Sequence, residues 1–476
     1  PVTPAAPEPA TAPSLACVED DVAGSLARIE GVKDVAEMAC GAYVRGATHC
    51  YSFTFQQPVD HGAKDDGATF AQRVRLVHRG CNAPTTIMDN GYSLPKVLYE
   101  LEPSVLFQTN TLDVEHRYQG KSIPKGKDRR WSALSIENGA ADSHALITAL
   151  RPFYTNRWVS TGASKGGITA VYHRHLHPSD VDGTIAYVAP ASRAREDARY
   201  QERMDTGPFP AACRSDVRAF QVAALGTQRA PFRAELQSRY GVSEEEGDYY
   251  LELLVGTFEW GFWQYLEDCG AVPKSGATDA SYLTYFRGVL DKQDRGGAPA
   301  PSEAEVSNAA LAYEWSWQQG FAKQAGAHLG PYLHTQAIAE STNAARWSAT
   351  FPSEPLPAFD GTETDKARDW VRTSAERLVL VYGEIDPWSG GALDAPTQTS
   401  SARFFVPQRS HGAQISDLPK ADHDRAIAAT SAMYGVSAQA RSTLRPAPLG
   451  LHDAFLEHET RTLRALAGAH RSLRRP

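Results

Sequence analysis

The sequence lacks the features that would direct it to a membrane or to nucleic acid. No apolar run approaches the roughly 20 residues that a transmembrane helix needs. Acidic residues outnumber basic ones by 56 to 48, so the formal net charge is −8 and no basic excess favours nucleic acid or anionic lipid. Hydrophobic residues are 42% and charged residues 22% of the 476 positions, which is typical of a globular protein with a large core. We therefore expect neither partner.

The few cysteines contain no C-x-x-C pair, so the sequence offers no zinc or thioredoxin-type motif. An even number of cysteines with wide spacing favours disulfides in an exported protein. Proximity along the chain predicts the pairs Cys17–Cys40, Cys50–Cys81 and Cys213–Cys269. Six buried free thiols in a cytosolic enzyme are the alternative.

A signal peptide is also missing at the start of the chain, where residues 1–16 are rich in proline and alanine. Such a stretch forms no packed element, so we predict an extended arm. Together with the cysteines, the arm favours a mature secreted protein whose leader has been removed. A cytosolic protein with a disordered N-terminus is the alternative.

No metal site is expected either. His173, His175 and His177 resemble a metal-binding stripe, but only His173 and His177 share a face of a helix. We expect no carboxylate or cysteine beside them to complete a ligand set. The sequence therefore predicts no metal and no cofactor.

The order of strand-like and helix-like patterns predicts an α/β fold. Short helices are expected around Ile29, Val32 and Val35. An antiparallel hairpin comes first, and strands then alternate with helices, which indicates a mostly parallel, doubly wound sheet. The predicted strands lie at 50–61, 69–78, 85–89, 111–115, 158–163, 183–189, 377–383 and 402–406, with a helix near 132–151.

The alternation of predicted strands and helices stops at residues 192–372, which contain helical, aromatic-rich stretches. A helical insertion of this length between two sheet strands is typical of a cap over an active site. The Gly/Pro/Ala/Ser-rich segment 292–306 within it is predicted to be a mobile loop. The catalytic domain would then comprise residues 17–191 and 373–476, and the cap residues 192–372.

A G-x-S-x-G motif, Gly162-Ala163-Ser164-Lys165-Gly166, lies between a predicted strand and a predicted helix. This context places a serine on a strained turn, where it is exposed as a nucleophile. The glycines are needed because a side chain at either position would collide with the neighbouring strand and helix.

A histidine and an acid follow in the order that is typical of α/β-hydrolases. Asp386 lies just past one predicted strand and His411 just past the next, and both come after Ser164. Strand ends are where such a sheet gathers its chemistry. We predict Ser164, Asp386 and His411 as a catalytic triad. The alternatives in the same region are Glu384, Asp394 and Asp417 for the acid and His423 for the base.

The chemistry also requires donors for an oxyanion. The backbone N–H of Lys165 lies at a helix N-terminus, where it can donate to developing negative charge. The second donor is predicted to be the backbone of Gly91 or Tyr92, in the loop after the third sheet strand.

Several motifs together resemble a clan of serine peptidases that includes lysosomal Pro-X carboxypeptidase and its dipeptidyl peptidase relative. The segments Gln57–His61 and Thr69–Arg73 are similar to the clan's opening hairpin. Glu115–Pro124 is similar to its E-H-R-Y-Y-G-x-S-x-P segment, Gly162–Gly167 to G-x-S-Y-G-G, and Asp386–Trp388 to D-P-W. The resemblance is closest to the secreted bacterial prolyl tri/tetrapeptidyl aminopeptidases, because Gln119 and Lys165 replace two tyrosines of the clan's pattern.

The resemblance implies an exopeptidase that cuts after proline and removes tri- or tetrapeptides from free N-termini. An esterase or lipase, a proline-specific carboxypeptidase or dipeptidyl peptidase, and a non-catalytic binding protein on the same fold are the alternatives. Trp388 is expected to form one wall of a proline slot. Glu259, Glu196 and Glu314 are candidates to bind the substrate ammonium. We expect a monomer.

Overall fold

The computed structural model describes residues 15–47, 49–63, 67–265, 267–294, 301–323 and 326–439. The predicted arm at 1–16 lies almost wholly outside these residues. A nine-stranded sheet forms the centre of the described chain. Its strands are β1 (Val32–Met38), β2 (His49–Pro58), β3 (Thr69–His78), β4 (Thr85–Asp89), β5 (Asn110–Val114), β6 (Trp158–Ala163), β7 (Gly183–Tyr187), β10 (Leu378–Gly383) and β11 (Ala402–Val406). A separate two-stranded ladder pairs β8 (Glu196–Asp197) with β9 (Phe321–Ala322).

The strand order in the large sheet is β1-β2-β3-β5-β4-β6-β7-β10-β11. Antiparallel pairing joins β1 to β2, β2 to β3, and β3 to β5. From β5 to β11 every neighbouring pair is parallel, so the carboxyl ends of these strands meet at one edge. This confirms the predicted hairpin followed by a parallel sheet.

Helices cover both faces of the parallel part. On one face Val379 and Val381 pack with Met433, and on the other Leu380 packs with Val171 and Val371. The helices are α1 (Val22–Ala27), α2 (Glu102–Phe107), α3 (Ile136–Leu150), α4 (Lys165–Leu176), α5 (Arg199–Thr206), α6 (Ala211–Leu225), α7 (Arg229–Tyr240), α8 (Glu244–Tyr265), α9 (Asp279–Asp294), α10 (Pro301–Glu314), α11 (Ala337–Glu340), α12 (Asn343–Thr350), α13 (Thr362–Thr373) and α14 (Lys420–Tyr434). No helix in the described ranges is long and apolar enough to cross a membrane.

Residues 192–372, called the helical segment below, contain α5 to α13 and the short β8–β9 ladder. Aromatic side chains such as Trp260 and Trp263 are buried in a core within this segment. That core extends to Trp388 and Ile385, which follow β10. The helical segment therefore packs directly on the strand-end loops of the sheet.

Two local predictions were wrong. Val32 and Val35 lie in β1, where Val32 pairs with Phe55 of the hairpin. This β-branched segment forms the edge strand of the sheet instead of a helix. The segment 292–306 was predicted to be a loop, but residues 301–306 belong to α10 and 292–294 to α9. Residues 295–300 lie outside the described part of the chain.

Three disulfides are present, and two of their pairings differ from the prediction. Cys213–Cys269 is confirmed, with a Cα–Cα distance of 5.5 Å. The other two pairs are Cys17–Cys81 and Cys40–Cys50.

Strand pairing explains why proximity along the chain failed for these four cysteines. Cys40 follows the end of β1, where Met38 pairs with Cys50 of β2, so the two cysteines are brought side by side. The chain after β3 returns to the segment before α1, where the Cys81 N–H donates to Glu19 at 2.7 Å. Cys81 therefore meets Cys17 instead of Cys50.

Candidate active site

Ser164 stands between β6 and α4 in a strained backbone conformation, with φ of 56° and ψ of −128°. A Cβ at Gly166 would come within 2.7 Å of the Asp89 carbonyl oxygen and 2.8 Å of the Asn90 carbonyl oxygen. A Cβ at Gly162 would collide with the backbone of Gly166 itself. The predicted strained turn and its need for glycine are thus confirmed in the backbone.

His411 and Asp386 lie at the same edge of the sheet, after β11 and β10. The Nδ1 atom of His411 is 2.8 Å from Oδ2 of Asp386, and both side chains are buried. The other carboxylate oxygen of Asp386 accepts a hydrogen bond from the Trp388 N–H at 3.1 Å. The carboxylate therefore fixes both the imidazole and the start of the following turn.

The alternatives for the acid and the base are engaged elsewhere. Glu384 accepts a hydrogen bond from the Gln408 N–H at 3.0 Å. Asp417 pairs with Arg409, His423 contacts Asp424, and Asp394 interacts electrostatically with Arg368. Asp386 is the carboxylate that the structure brings to His411.

A small, partly open cavity lies at Ser164. Its lining combines groups from the sheet with groups from the helical segment. They include Tyr92, Ser164 and Lys165 on the sheet side, Trp315, Gln319 and Phe321 on the helical side, and Trp388. The structure therefore brings Trp388 and Ser164 to one cavity.

Trp388 connects the cavity to the histidine. Its ring centroid is 6.1 Å from that of His411, and Trp260 meets it edge-on at 4.8 Å. Its indole N–H donates to Gln264 near the end of α8 at 2.9 Å. A helix of the helical segment thus holds the tryptophan that lies next to Asp386.

The oxyanion prediction needs one change. The Gly91 N–H is already engaged, because it donates to the Asp89 carboxylate at 2.8 Å. The Tyr92 phenol instead interacts with Ser164 and with the backbone N–H of Lys165. Burial raises the pKa of Tyr92 to about 12, so the phenol keeps its proton. The sequence pattern pointed only to the backbone of Tyr92 and missed this side chain.

A buried network of charges lies directly behind the nucleophile turn. The His116 Nδ1 is 3.0 Å from Asp89 Oδ1, and its Nε2 is 3.2 Å from Glu314 Oε1. The other Glu314 oxygen is 3.2 Å from the Lys165 Nζ. Glu314 is the last residue of α10, so the network joins the helical segment to the sheet. The sequence placed Glu314 among aromatics but did not indicate its partners.

The network sets the charges of its members. Burial by itself would raise the pKa of Glu314, but Lys165 and His116 hold that pKa below its ordinary value. Burial would lower the pKa of His116, but Asp89 and Glu314 raise it above its ordinary value. Both ring nitrogens of His116 therefore face carboxylates, which favour its protonated form.

The other two acidic candidates do not line the cavity. The carboxylate of Glu259 is buried and accepts two hydrogen bonds from Arg218, at 2.9 and 3.0 Å. Glu196 lies in β8 with an exposed side chain. The structure therefore brings neither of them to Ser164.

Glu102 of α2 supports the histidine loop, and no sequence pattern indicated this. Its carboxylate accepts hydrogen bonds from the N–H groups of Ile415 and Ser416, at 2.7 and 2.8 Å, and from the Tyr187 phenol at 3.0 Å. Burial raises the pKa of Glu102. These contacts hold the turn that begins four residues after His411.

The sequence matches the PS-10 peptidase S37 family over residues 20–463. It is 30% identical over 467 residues to a prolyl tri/tetrapeptidyl aminopeptidase from Streptomyces mobaraensis, covering 94% of this chain and 92% of that one.

Among solved structures it is similar to an α/β-hydrolase fold protein from Nakamurella multipartita, with a TM-score of 0.31, 13% identity and coverage of 77% of this chain and 96% of that one. A proline iminopeptidase from Mycobacterium smegmatis gives the same TM-score and identity, with coverage of 80% and 97%. The family match covers nearly the whole chain, and the chain therefore belongs to the PS-10 peptidase S37 family and is a serine peptidase on an α/β-hydrolase fold.

Proposed function

We propose that this peptidase releases tri- and tetrapeptides from free N-termini by hydrolysis after proline. The observation that carries the proposal is a strained serine that opens into a cavity walled by Trp388, whose ring lies beside the histidine of the Asp386–His411 pair. The activity named for the Streptomyces mobaraensis relative supports the same substrate class.

In the proposed reaction Ser164 Oγ attacks the proline carbonyl carbon while His411 Nε2 accepts the hydroxyl proton. Asp386 accepts the hydrogen bond from Nδ1–H and stabilises the imidazolium cation. The imidazolium then gives its proton to the leaving amine, which leaves an acyl-enzyme. Water attacks the ester, His411 again accepts and returns a proton, and the peptide acid departs.

The oxyanion of each tetrahedral intermediate binds to the Lys165 N–H at the start of α4. The second donor is the residue Tyr92, through its phenol rather than the backbone N–H expected from the sequence. Its interaction with both Ser164 and the Lys165 N–H supports this assignment. Gly91 contributes by its lack of a side chain, since a Cβ there would lie 2.7 Å from the Gly166 nitrogen.

The helical segment acts as the cap that limits the length of the released peptide. Trp315, Gln319 and Phe321 line the same cavity as Ser164, and in this proposal they restrict it to a short N-terminal segment. The free ammonium then requires an anionic partner within the cap, because a buried charge without one is costly. Glu314 contacts the cavity wall through Lys165 and Gln319, whereas Glu259 and Glu196 reach it only if the cap rearranges.

The deciding experiment compares Ala-Ala-Pro-anilide with its N-acetylated form. We expect acetylation to reduce kcat/KM by at least about tenfold, since the loss of one charged contact costs about 1.4 kcal/mol or more. Gln variants of Glu314, Glu259 and Glu196 then identify the anchor, because its replacement removes the discrimination between the two substrates. Equal rates on both substrates in the wild-type enzyme would refute the anchored N-terminus and leave the peptidase assignment intact.

The proline preference is assigned to the flat wall formed by Trp388. Trp388→Ala is expected to reduce the preference for proline over alanine about tenfold, and Trp388→Phe to retain most of it. Measuring kcat/KM of both variants on Ala-Ala-Pro-anilide and Ala-Ala-Ala-anilide tests this, since a general loss of folding would lower both rates together.

Three disulfides fit an oxidising compartment, and we propose that the protein acts outside the cell as a monomer. Alkylation without reductant, followed by intact-mass measurement of the protein purified from culture medium, should add no label. Labelled thiols in the secreted protein would contradict this.

A further inference from the structure

A cluster of histidines lies at the far end of α4 from Ser164. The helix has 12 residues, so its last turn is about 18 Å from the nucleophile turn. His173 and His177 come from this end, His144 from α3, and Asp180 from the turn before β7. The sequence interpretation that no carboxylate stands beside the histidine stripe was therefore wrong. Asp180 follows His177 by three residues, whereas His144 reaches the stripe only in the folded chain.

The ligand atoms of this cluster are already close together. The His144 Nδ1 is 2.9 and 3.0 Å from the two Asp180 oxygens, and the His144 and His177 rings stack with centroids 4.3 Å apart. One nitrogen or oxygen from each of His144, His177 and Asp180 lies within 4.8 Å of the others. Tetrahedral Zn²⁺ with bonds of about 2.0–2.2 Å needs ligand atoms about 3.3–3.6 Å apart. The two stacked rings lie only 11° from parallel, so one imidazole must rotate out of the stack before both can direct a nitrogen at one ion.

The surroundings of Asp180 resemble a prepared ligand rather than a loose surface group. The buried His173 contacts its Oδ2 through Nε2 at 2.9 Å, and Arg151 donates to its backbone carbonyl at 2.6 Å. Ligating carboxylates in metal sites are characteristically oriented by such outer contacts. The side chain of His144 is 44% exposed, which leaves a path for an ion from solvent.

We propose that His144, His177 and Asp180 form a binding site for a divalent transition-metal ion of the Zn²⁺ type, with His173 as the outer support of Asp180. Two imidazoles and one carboxylate suit this class of ion, and the remaining position is left to water. The site joins α3, the end of α4 and the turn before β7. Its effect is on stability, because it lies far from the reacting atoms.

His175 provides a matched control within the same helix. Its ring packs against Trp370, 5.5 Å between centroids, on the face away from the cluster. The experiment treats the full chain with EDTA, removes the chelator, and titrates ZnCl₂ by calorimetry, with Tm recorded in parallel. We expect one ion per wild-type chain and a Tm that rises with zinc concentration.

The variants decide whether this cluster holds the ion. His144→Ala with His177→Ala should abolish the stoichiometric binding, and His173→Gln should weaken it about 10–100-fold, as expected of an outer partner. His175→Ala should match the wild type, and peptidase activity should persist in all of them as a check of folding. Absence of wild-type binding at millimolar zinc, or equally tight binding in the double variant, would overturn the proposal.

Discussion

Two buried histidine–aspartate pairs flank the strand that carries Ser164. On one side His116 meets Asp89 at the ends of β5 and β4, and on the other His411 meets Asp386 after β11 and β10. The nitrogen–oxygen distances are 3.0 and 2.8 Å, and all four side chains are buried. By residue type, distance and strand-end position the two pairs are alike.

The two pairs differ in what surrounds the second nitrogen of the histidine ring. In His116 it faces Glu314, so the ring lies between two carboxylates that raise its pKa and favour its protonated form. A histidine that is held as a cation cannot accept a proton from serine. His411 has its aspartate on Nδ1 and lies next to Trp388, which lines the cavity at Ser164. We therefore expect the surroundings of the second nitrogen, and not the His–Asp pair itself, to decide which histidine can act as a base.

The largest expected effect is on kcat and tests the role of His411. His411→Ala should lower kcat about 10⁴–10⁶-fold, and Ser164→Ala should do the same, because members of a triad act as a unit. The double variant should be no slower than either single variant. Single-turnover rates on Ala-Ala-Pro-anilide test this, with circular dichroism as the folding check. Substantial activity in purified Ser164→Ala would show that another residue is the nucleophile.

The next largest effect is on the free energy of unfolding and tests the buried ion pairs around His116. Glu314→Gln removes one partner of a buried ion pair and leaves Lys165 and His116 without this counter-charge, which costs about 3–5 kcal/mol. Glu202→Gln is the matched control, because Glu202 is an exposed glutamate in the same helical segment. Denaturant unfolding of both variants measures the difference. Equal stabilities would show that Glu314 does not hold the network together.

A smaller effect tests the group that lies between the two pairs. Tyr92→Phe removes one oxyanion donor and should lower kcat about 10²–10³-fold, with KM little changed. Tyr99→Phe serves as the control, since this buried phenol contacts Asn90 at 3.4 Å and is absent from the cavity lining. A Tyr92→Phe enzyme with wild-type kcat would show that the phenol is not the second oxyanion donor and would favour a backbone N–H instead.

The smallest effect is a pH dependence of stability that comes from the His116 pair. The folded pKa of His116 is raised above 6.5, so its stabilising charge is complete below about pH 6.5 and is lost as the pH rises through the raised value. A histidine pKa that is one pH unit higher in the folded than in the unfolded chain stabilises the fold by about 1.4 kcal/mol. The pKa of Glu314 is lowered below 4.5, so its contribution is present above that pH and is lost on acidification.

As the pH rises above about 6.5, the wild-type Tm should therefore fall more steeply than the Tm of His116→Asn, which has no proton to lose at this position. Differential scanning calorimetry across this range makes the measurement. Parallel profiles for the two proteins would mean that His116 is not held as a cation.

Local pattern was enough to predict the parts of the site that lie on single strands and turns. The strand before Ser164 and the glycines on either side of it predicted the strained turn, because a strand-to-helix reversal leaves no room for a Cβ. The continuous apolar run before Gly383 predicted a buried parallel strand, and its end placed Asp386 at the edge where His411 also emerges. These features follow from periodicity and backbone sterics, which the sequence determines by itself.

Tertiary packing decided everything that depended on which distant segments meet. Strand pairing places Cys50 beside Cys40 and not beside Cys81. The fold also brings His144 of α3 to Asp180 and to the histidine stripe on α4. Glu314 sits 198 residues from His116, yet together with Asp89 it favours the protonated form of that histidine. Contacts of this kind depend on burial and on long-range closure of the chain, and neither is encoded in the spacing of neighbouring residues.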